Sequence, residues 1–195
     1  MAGAVIAAVV LAAGAGSRFG GPKQLATLDG VPLLEHALRA VEAVPAIERI
    51  VVVLGARADE IRAGVDFGSA EVVVCDGWDE GQAASLRCGI DAIDGADVAL
   101  LMLGDMPRIT PQVIARFADL GREHGSEARA RAVYDGAPGH PVVLGSAYFA
   151  ALSGLTGDLG AREVLKKIGA YPIECGQLCS AADVDTPEAL GELRR

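Results

Sequence analysis

The sequence predicts a single doubly wound α/β domain over residues 1–195: one mainly parallel sheet with helices on both faces. Three observations carry this. Continuous apolar runs at 4–11, 50–54 and 98–103 have the pattern of strands buried on both faces. Segments of helical periodicity separate them, so strand and helix alternate along the chain. No linker, repeat or low-complexity tract interrupts that alternation. The chain has 195 residues, 51% of them hydrophobic and mostly Ala, Val and Leu, enough to bury a core without disulfide or metal.

Residues 2–15, apolar with small-residue positions, superficially resemble a signal peptide, but no Lys or Arg precedes the run and it feeds directly into a glycine-rich loop, which favours a buried strand. Leu25 and Leu28 followed by Asp29-Gly30 predict a short extended piece and a turn. Pro32 is placed to open a helix on which Leu33, Leu34, Ala37, Leu38 and Val41 recur at helical spacing. A strand at 50–54, a short helix at 57–63 and a strand at 72–74 follow, the last ending at Asp76-Gly77-Trp78. Residues 81–93 read as a helix with Leu86, Ile90 and Ile93 on one face, and 98–103 as a strand running into Gly104-Asp105-Met106-Pro107. Thr110 is expected to cap a helix opened by Pro111. Beyond it the pattern predicts a strand at 130–134, a turn-rich stretch at 135–141, a strand at 142–144 and a helix capped by Ser146. Residues 156–162 lead into a helix at 163–168, and 171–174 form an edge strand. Asp183 to Glu188 close a strand and start a last short helix.

In sheets of this class ligands bind outside the carboxyl ends of the strands, which selects the residues to consider. The loop after the first strand carries Gly14, Gly16, Gly20 and Gly21 together with Arg18 and Lys23. Glycine lets the backbone turn its N–H groups toward an anion, and the two basic residues add full charge beside them. A dinucleotide fingerprint fails because Phe19 stands where the third glycine belongs, and a P-loop fails because Pro22 stands where the lysine belongs. The loop therefore predicts a polyphosphate cradle of another kind. The net charge of −9 argues against nucleic acid or an anionic membrane as partner, and no stretch approaches transmembrane length. Two basic side chains do not balance a triphosphate on so acidic a protein, so a divalent cation, Mg²⁺, is expected.

Asp105 follows an apolar strand directly, an expensive place for a charge without a partner, and is a candidate metal ligand; a turn aspartate is the alternative. Asp183 and Asp185 are further carboxylates, although Asp-Thr-Pro-Glu is equally a helix start. Gln82 and Ser85 open a helix and suit either base or ribose contact or simple capping. His36 and His124 fall on helices and read as structural, whereas His140 lies in a loop where packing does not demand it. Cys75, Cys88, Cys175 and Cys179 are scattered and read as reduced thiols of a cytoplasmic chain.

Leu11-Ala12-Ala13-Gly14-Ala15-Gly16-Ser17-Arg18-Phe19-Gly20-Gly21-Pro22-Lys23 resembles the L-A-A-G-x-G-x-R-x-G-x-x-K signature of the MobA-like nucleotidyltransferases, whose fold is Rossmann-like. Gly104-Asp105-Met106-Pro107, Gly139-His140-Pro141-Val142, Gly157-Asp158-Leu159-Gly160-Ala161-Arg162 and Asp183-Val184-Asp185-Thr186-Pro187-Glu188 are similar to its later signatures, in the same order. The resemblance implies an Mg²⁺-dependent enzyme that joins a nucleoside monophosphate to a phosphorylated acceptor and expels pyrophosphate. Ala12-Ala13, where the guanylyl branch has Ala-Gly, points to a pyrimidine nucleotide and to the branch joining CTP to molybdopterin, with a molybdoenzyme as a possible partner. Leu11, Ala12, Ala13, Gly14, Gly16, Ser17, Arg18 and Lys23 then hold the nucleotide, with Gln82 and Ser85 toward base or ribose. Arg18, Lys23 and Asp105 are the expected catalytic groups, Asp105 and Asp185 the metal ligands, and His140, Asp158 and Arg162 the acceptor side. Relatives often carry arginine just before the Gly-His-Pro motif; Gly136-Ala137-Pro138-Gly139 here leaves an anionic acceptor with fewer charges. Other outcomes of the same pattern are a cytidylyl- or uridylyltransferase for a sugar or polyol phosphate, an oxidoreductase, and a non-catalytic accessory protein of a molybdoenzyme.

Overall fold

The computed structural model describes residues 3–180 and 182–194. Seven of its nine strands form one sheet: β1 (Ile6–Leu11), β4 (Arg49–Leu54), β5 (Glu71–Val74), β6 (Val98–Leu103), β7 (Arg129–Tyr134), β8 (Ala137–Gly145) and β9 (Tyr171–Glu174), in the order β5-β4-β1-β6-β8-β7-β9. All neighbours run parallel except at β8, which is antiparallel to both β6 and β7. The short strands β2 (Thr27–Leu28) and β3 (Val31–Pro32) make a separate hairpin.

The apolar runs become strands because both faces of the sheet are covered. Along β1, Ile6, Ala8 and Val10 pack with Leu34 and Leu38 of α1 (Leu33–Glu42) and with Phe117 of α4 (Pro111–His124). The alternate residues Ala7 and Val9 pack with Leu86 and Ile90 of α3 (Gln82–Ala92) and with Leu165 of α6 (Ala161–Ile168). Helix α3 lies so close to the sheet that a Cβ on Gly89 would stand 2.4 Å from Val9 Cγ1, so only glycine fits there. Helices α2 (Ala58–Gly64), α5 (Phe149–Ser153) and α7 (Pro187–Leu193) complete the layers. Among the described residues no helix is long and apolar enough to cross a membrane.

Four local expectations change. Residues 135–141 are not one long turn: Asp135 and Gly136, at φ 51° and 80°, make a two-residue hairpin, and β8 begins at Ala137. Pro138 and Pro141 are tolerated because β8 pairs with β6 only from Val142 onward, so the first part of β8 has a free edge where a missing N–H costs nothing. Thr110 occupies the N-cap position before Pro111, but its hydroxyl makes no capping bond and is buried without a partner. Ser146 starts a 3-10 turn, Ser146–Tyr148, and does not cap α5. Residues 183–185 form no strand; Val184 is tied down by one backbone bond to the Asp105 carbonyl (3.0 Å) and by packing against Leu28, Leu33 and Leu190.

Candidate active site

The strand order reverses at β1: β4 lies on one side and β6 on the other, so the ends of β1 and β6 open a crevice between their connections. Leu11 and Leu103, the last residues of those strands, are register partners. The glycine loop and Asp105 therefore emerge side by side.

The loop is a compact turn around one carbonyl. Gly16 O accepts from the N–H groups of Phe19, Gly20 and Gly21 at 2.9, 3.0 and 3.3 Å. Gly16 has φ +64°, and a Cβ there would lie 2.1 Å from the Gly21 oxygen, so no other residue closes this turn without distortion. Gln24, which the sequence did not single out, is buried beneath it and donates from Nε2 to Ala12 O (2.6 Å) and Gly14 O (3.1 Å). A 3-10 turn, Lys23–Leu25, then aims Lys23 across the crevice.

Lys23 Nζ lies 2.5 Å from Asp105 Oδ2 and 2.6 Å from Asp185 Oδ1, and Arg18 Nη1 lies 3.0 Å from Asp185 Oδ2. Four residues from three distant segments thus form one charge cluster. Burial pushes the Asp105 carboxyl above the usual carboxylate range, against the pull of Lys23, and nearby Asp183 adds to the rise. Burial draws Lys23 down, but Asp105 and Asp185 outweigh it and hold the ammonium above its ordinary value. Asp185 is held low by its hydrogen bond from Lys23. The helix-start use of Asp185 is not what the fold adopts: the cap of α7 is Thr186, whose hydroxyl accepts from Ala189 N at 3.2 Å.

The donor set fits a divalent cation. Two carboxylates converge on one point now held by an ammonium, and Asp105 Oδ1 is buried with no hydrogen-bond partner. Among the described residues no three His, Cys, Asp or Glu side chains surround a common metal point. Two protein carboxylates are what a magnesium ion shared with substrate phosphates commonly takes.

A cleft of about 400 Å³ opens beside this cluster, floored by Leu11, Ala12, Ala13 and Gly14 and walled opposite by Trp78, Gln82 and Ser85. Ser85 is buried and Gln82 exposed. Gly16, Ser17 and Arg18 lie outside the cleft lining, Ser17 and Arg18 on the exposed rim of the loop. A second hollow, about 310 Å³, adjoins the cleft and shares Gln82 and Asp158 with it. His140, Arg162 and Arg131 also line it; Arg131 has no counterpart among the sequence expectations. His140 belongs to β8 and not to a loop, and burial, reinforced by Arg131, pushes its pKa down to about 4, so the imidazole is neutral near pH 7. His36 is structural as expected, its Nε2 2.9 Å from Leu28 O. All four cysteines are free thiols.

Known proteins share this architecture. A nicotine blue oxidoreductase of Paenarthrobacter nicotinovorans is 31% identical over 196 aligned residues that cover 96% of each chain. A 2-C-methyl-D-erythritol 4-phosphate cytidylyltransferase of Ralstonia nicotianae is 34% identical over 62% of this chain, which spans 52% of that longer protein. The crystal structure of Rv0371c from Mycobacterium tuberculosis superposes with a TM-score of 0.86 at 29% identity, covering 99% of this chain and 98% of that one, and the same protein is known in complex with manganese. The model of the MobA-like NTP transferase domain matches residues 8–172. The chain, with its glycine loop, Asp105 and the parallel sheet that joins them inside that match, belongs to the MobA-like NTP transferase family.

Proposed function

We propose that this nucleotidyltransferase takes CTP, transfers its cytidylyl group to a phosphorylated acceptor, molybdopterin, and releases pyrophosphate with the help of Mg²⁺. The observation that carries the proposal is the convergence of Asp105 and Asp185 on Lys23 at the carboxyl ends of β1 and β6. The loop N–H groups, Lys23 and Arg18 hold the triphosphate, and Asp105 with Asp185 would hold the cation, which when bound supplies charge neutralisation of the phosphates. A phosphate monoester is already nucleophilic at neutral pH, so in-line attack on the α-phosphorus needs no general base; His140, neutral near pH 7, is not required as one. Positioning and charge stabilisation supply the catalysis. Ser85, buried in the cleft wall, and Gln82 are assigned to base or ribose, and His140, Asp158 and Arg162 to the acceptor.

The Ala12-Ala13 pair and the likeness to a cytidylyltransferase support CTP. That likeness also favours a second reading, in which the acceptor is a polyol phosphate. The name of the Paenarthrobacter relative raises redox chemistry, against which stands Phe19 in place of the third fingerprint glycine. The cytoplasm is the proposed compartment, supported by four free thiols, with a molybdoenzyme as recipient of the product.

A nucleotide-by-acceptor screen that follows pyrophosphate decides between these. The expected result is Mg²⁺-dependent release from CTP only when molybdopterin is present. Release only with a polyol phosphate establishes the second reading, and no release with any pair, at intact nucleotide binding, overturns both.

A further inference from the structure

The hollow next to the nucleotide cleft is lined by two cations, Arg131 and Arg162, neither of which is in a salt bridge. Arg131 projects from β7 on the α6 side of the sheet, since its neighbours Ala130 and Ala132 pack into the opposite core layer. Its Nε is buried and has no hydrogen-bond partner. Arg162, in the first turn of α6, lines the same hollow and is exposed. Among the described residues neither guanidinium makes an ion pair or donates a hydrogen bond, and burial, with the charge of Arg162 nearby, loosens the hold of Arg131 on its proton. Two like charges brought together with a buried N–H unsatisfied are costly unless a ligand completes them.

The remaining charges around the hollow leave a positive excess. Glu163 is hydrogen-bonded by Lys166 at 2.9 Å and feels Arg162 more weakly, His140 is neutral, and Asp158 sits where the hollow meets the nucleotide cleft, so with Lys166 counted three cations face two carboxylates. The α6 N-terminus has no side-chain cap, so its dipole reinforces the field without creating the site.

We infer that Arg131 and Arg162 form a phosphate-dianion subsite that grips the phosphate monoester of the acceptor while the nucleotide occupies the adjoining cleft. The planar forks of two guanidiniums suit the tetrahedral oxygens of such a group. Calling the anion the acceptor's rests on the nucleotidyltransferase reading above. The charges missing before the Gly-His-Pro motif are thereby supplied from β7, a strand that precedes that motif and is not part of it.

The test is calorimetric binding of glycerol phosphate, of inorganic phosphate and of Mg·CTP to the full chain and to Arg131→Met, Arg131→Lys and Arg162→Met, with thermal melts confirming that each is folded. Arg162 is exposed, so its variant tests the subsite even where Arg131→Met does not fold. Loss of a charged hydrogen-bond pair predicts roughly tenfold weaker glycerol phosphate binding in each Met variant, with partial rescue in Arg131→Lys and unchanged Mg·CTP affinity. The acceptor assignment further requires that Mg·CTP and glycerol phosphate bind together and that glycerol phosphate binds more tightly than inorganic phosphate. Unchanged glycerol phosphate affinity in both Met variants overturns the subsite. Competition between Mg·CTP and glycerol phosphate, or preference for inorganic phosphate, overturns its assignment to the acceptor. Arginine-dependent glycerol phosphate binding in a protein that releases no pyrophosphate with any acceptor retains the subsite and refutes the transferase reading, so the two fail separately.

Discussion

Replacing Lys23 by Met removes the cation that holds Asp105 and Asp185 together while keeping most of the side-chain volume. At ~4 Å and an effective dielectric of ~20, one such pair is worth on the order of 4 kcal/mol before desolvation. Breaking a fully buried pair costs about 3–5 kcal/mol, because the remaining charge is left without a partner. Here Lys23 and Asp105 are 16% and 17% exposed but Asp185 is 33% exposed, so solvent screens part of the loss. A net cost of about 2 kcal/mol follows, or roughly 4–8 °C in Tm for a chain of this size. The assay is a double-mutant cycle by denaturant unfolding with Asp105→Asn, which keeps the shape of the partner and removes its charge. In the Asp105→Asn background the same lysine substitution should cost less than about 1 kcal/mol, the part owed to Asp185. Additive losses in the double mutant would refute the coupling, and with it the picture of Lys23 as an ammonium occupying a metal-binding pair of carboxylates.

Three further outcomes are expected. His140, with a pKa of about 4 against an ordinary 6.5, should show its ring resonances titrating near 4. Because its folded value is depressed, the unfolded chain takes up the proton first, so stability falls as pH drops from about 6.5 toward 4; His140→Asn should flatten that slope in pH-dependent melts, and an unchanged slope would show that His140 is not its source. Thr186→Ala should cost about 1 kcal/mol of stability with turnover retained, as loss of a helix cap, whereas Asp185→Asn should lose turnover while costing up to about 1 kcal/mol, its partly exposed pairs with Lys23 and Arg18 being screened by solvent. Steady-state kinetics beside melts separate the two. Gln24→Leu leaves the Ala12 and Gly14 carbonyls without the buried amide that orders them and should cost about 1–3 kcal/mol while raising the KM for nucleotide; a variant with wild-type KM would show that the loop orders itself.

Much of the molecule was legible in the chain because its signals are local. Strands buried on both faces read as the apolar runs of β1, β4 and β6, and Pro32, Pro111 and Pro187 mark helix starts by their fixed φ. The glycine loop, Asp105 and the pair of Asp183 and Asp185 were selected by the rule that ligands collect at strand ends. The stretch at 135–141 misled because proline and glycine argue against a strand, and only the register of β8 shows that its first residues have one free edge. Arg131 was passed over because one arginine in an alternating strand carries no signature of what it faces, and Gln24 because a single buried amide has no periodicity.

The sequence by itself therefore determined the layered α/β architecture, the glycine turn and the types of charged residue at the strand ends, since propensity, periodicity and φ restrictions act over a few neighbouring residues. Only the tertiary structure decided that Lys23 is shared between Asp105 and Asp185, that Thr186 and not Asp185 caps α7, and that Arg131 and Arg162 line one hollow beside the cleft at the carboxyl ends of β1 and β6. Those facts depend on register across the sheet and on loops brought together from opposite ends of the chain, and Coulomb energy depends on distance in space, which order along the chain does not encode.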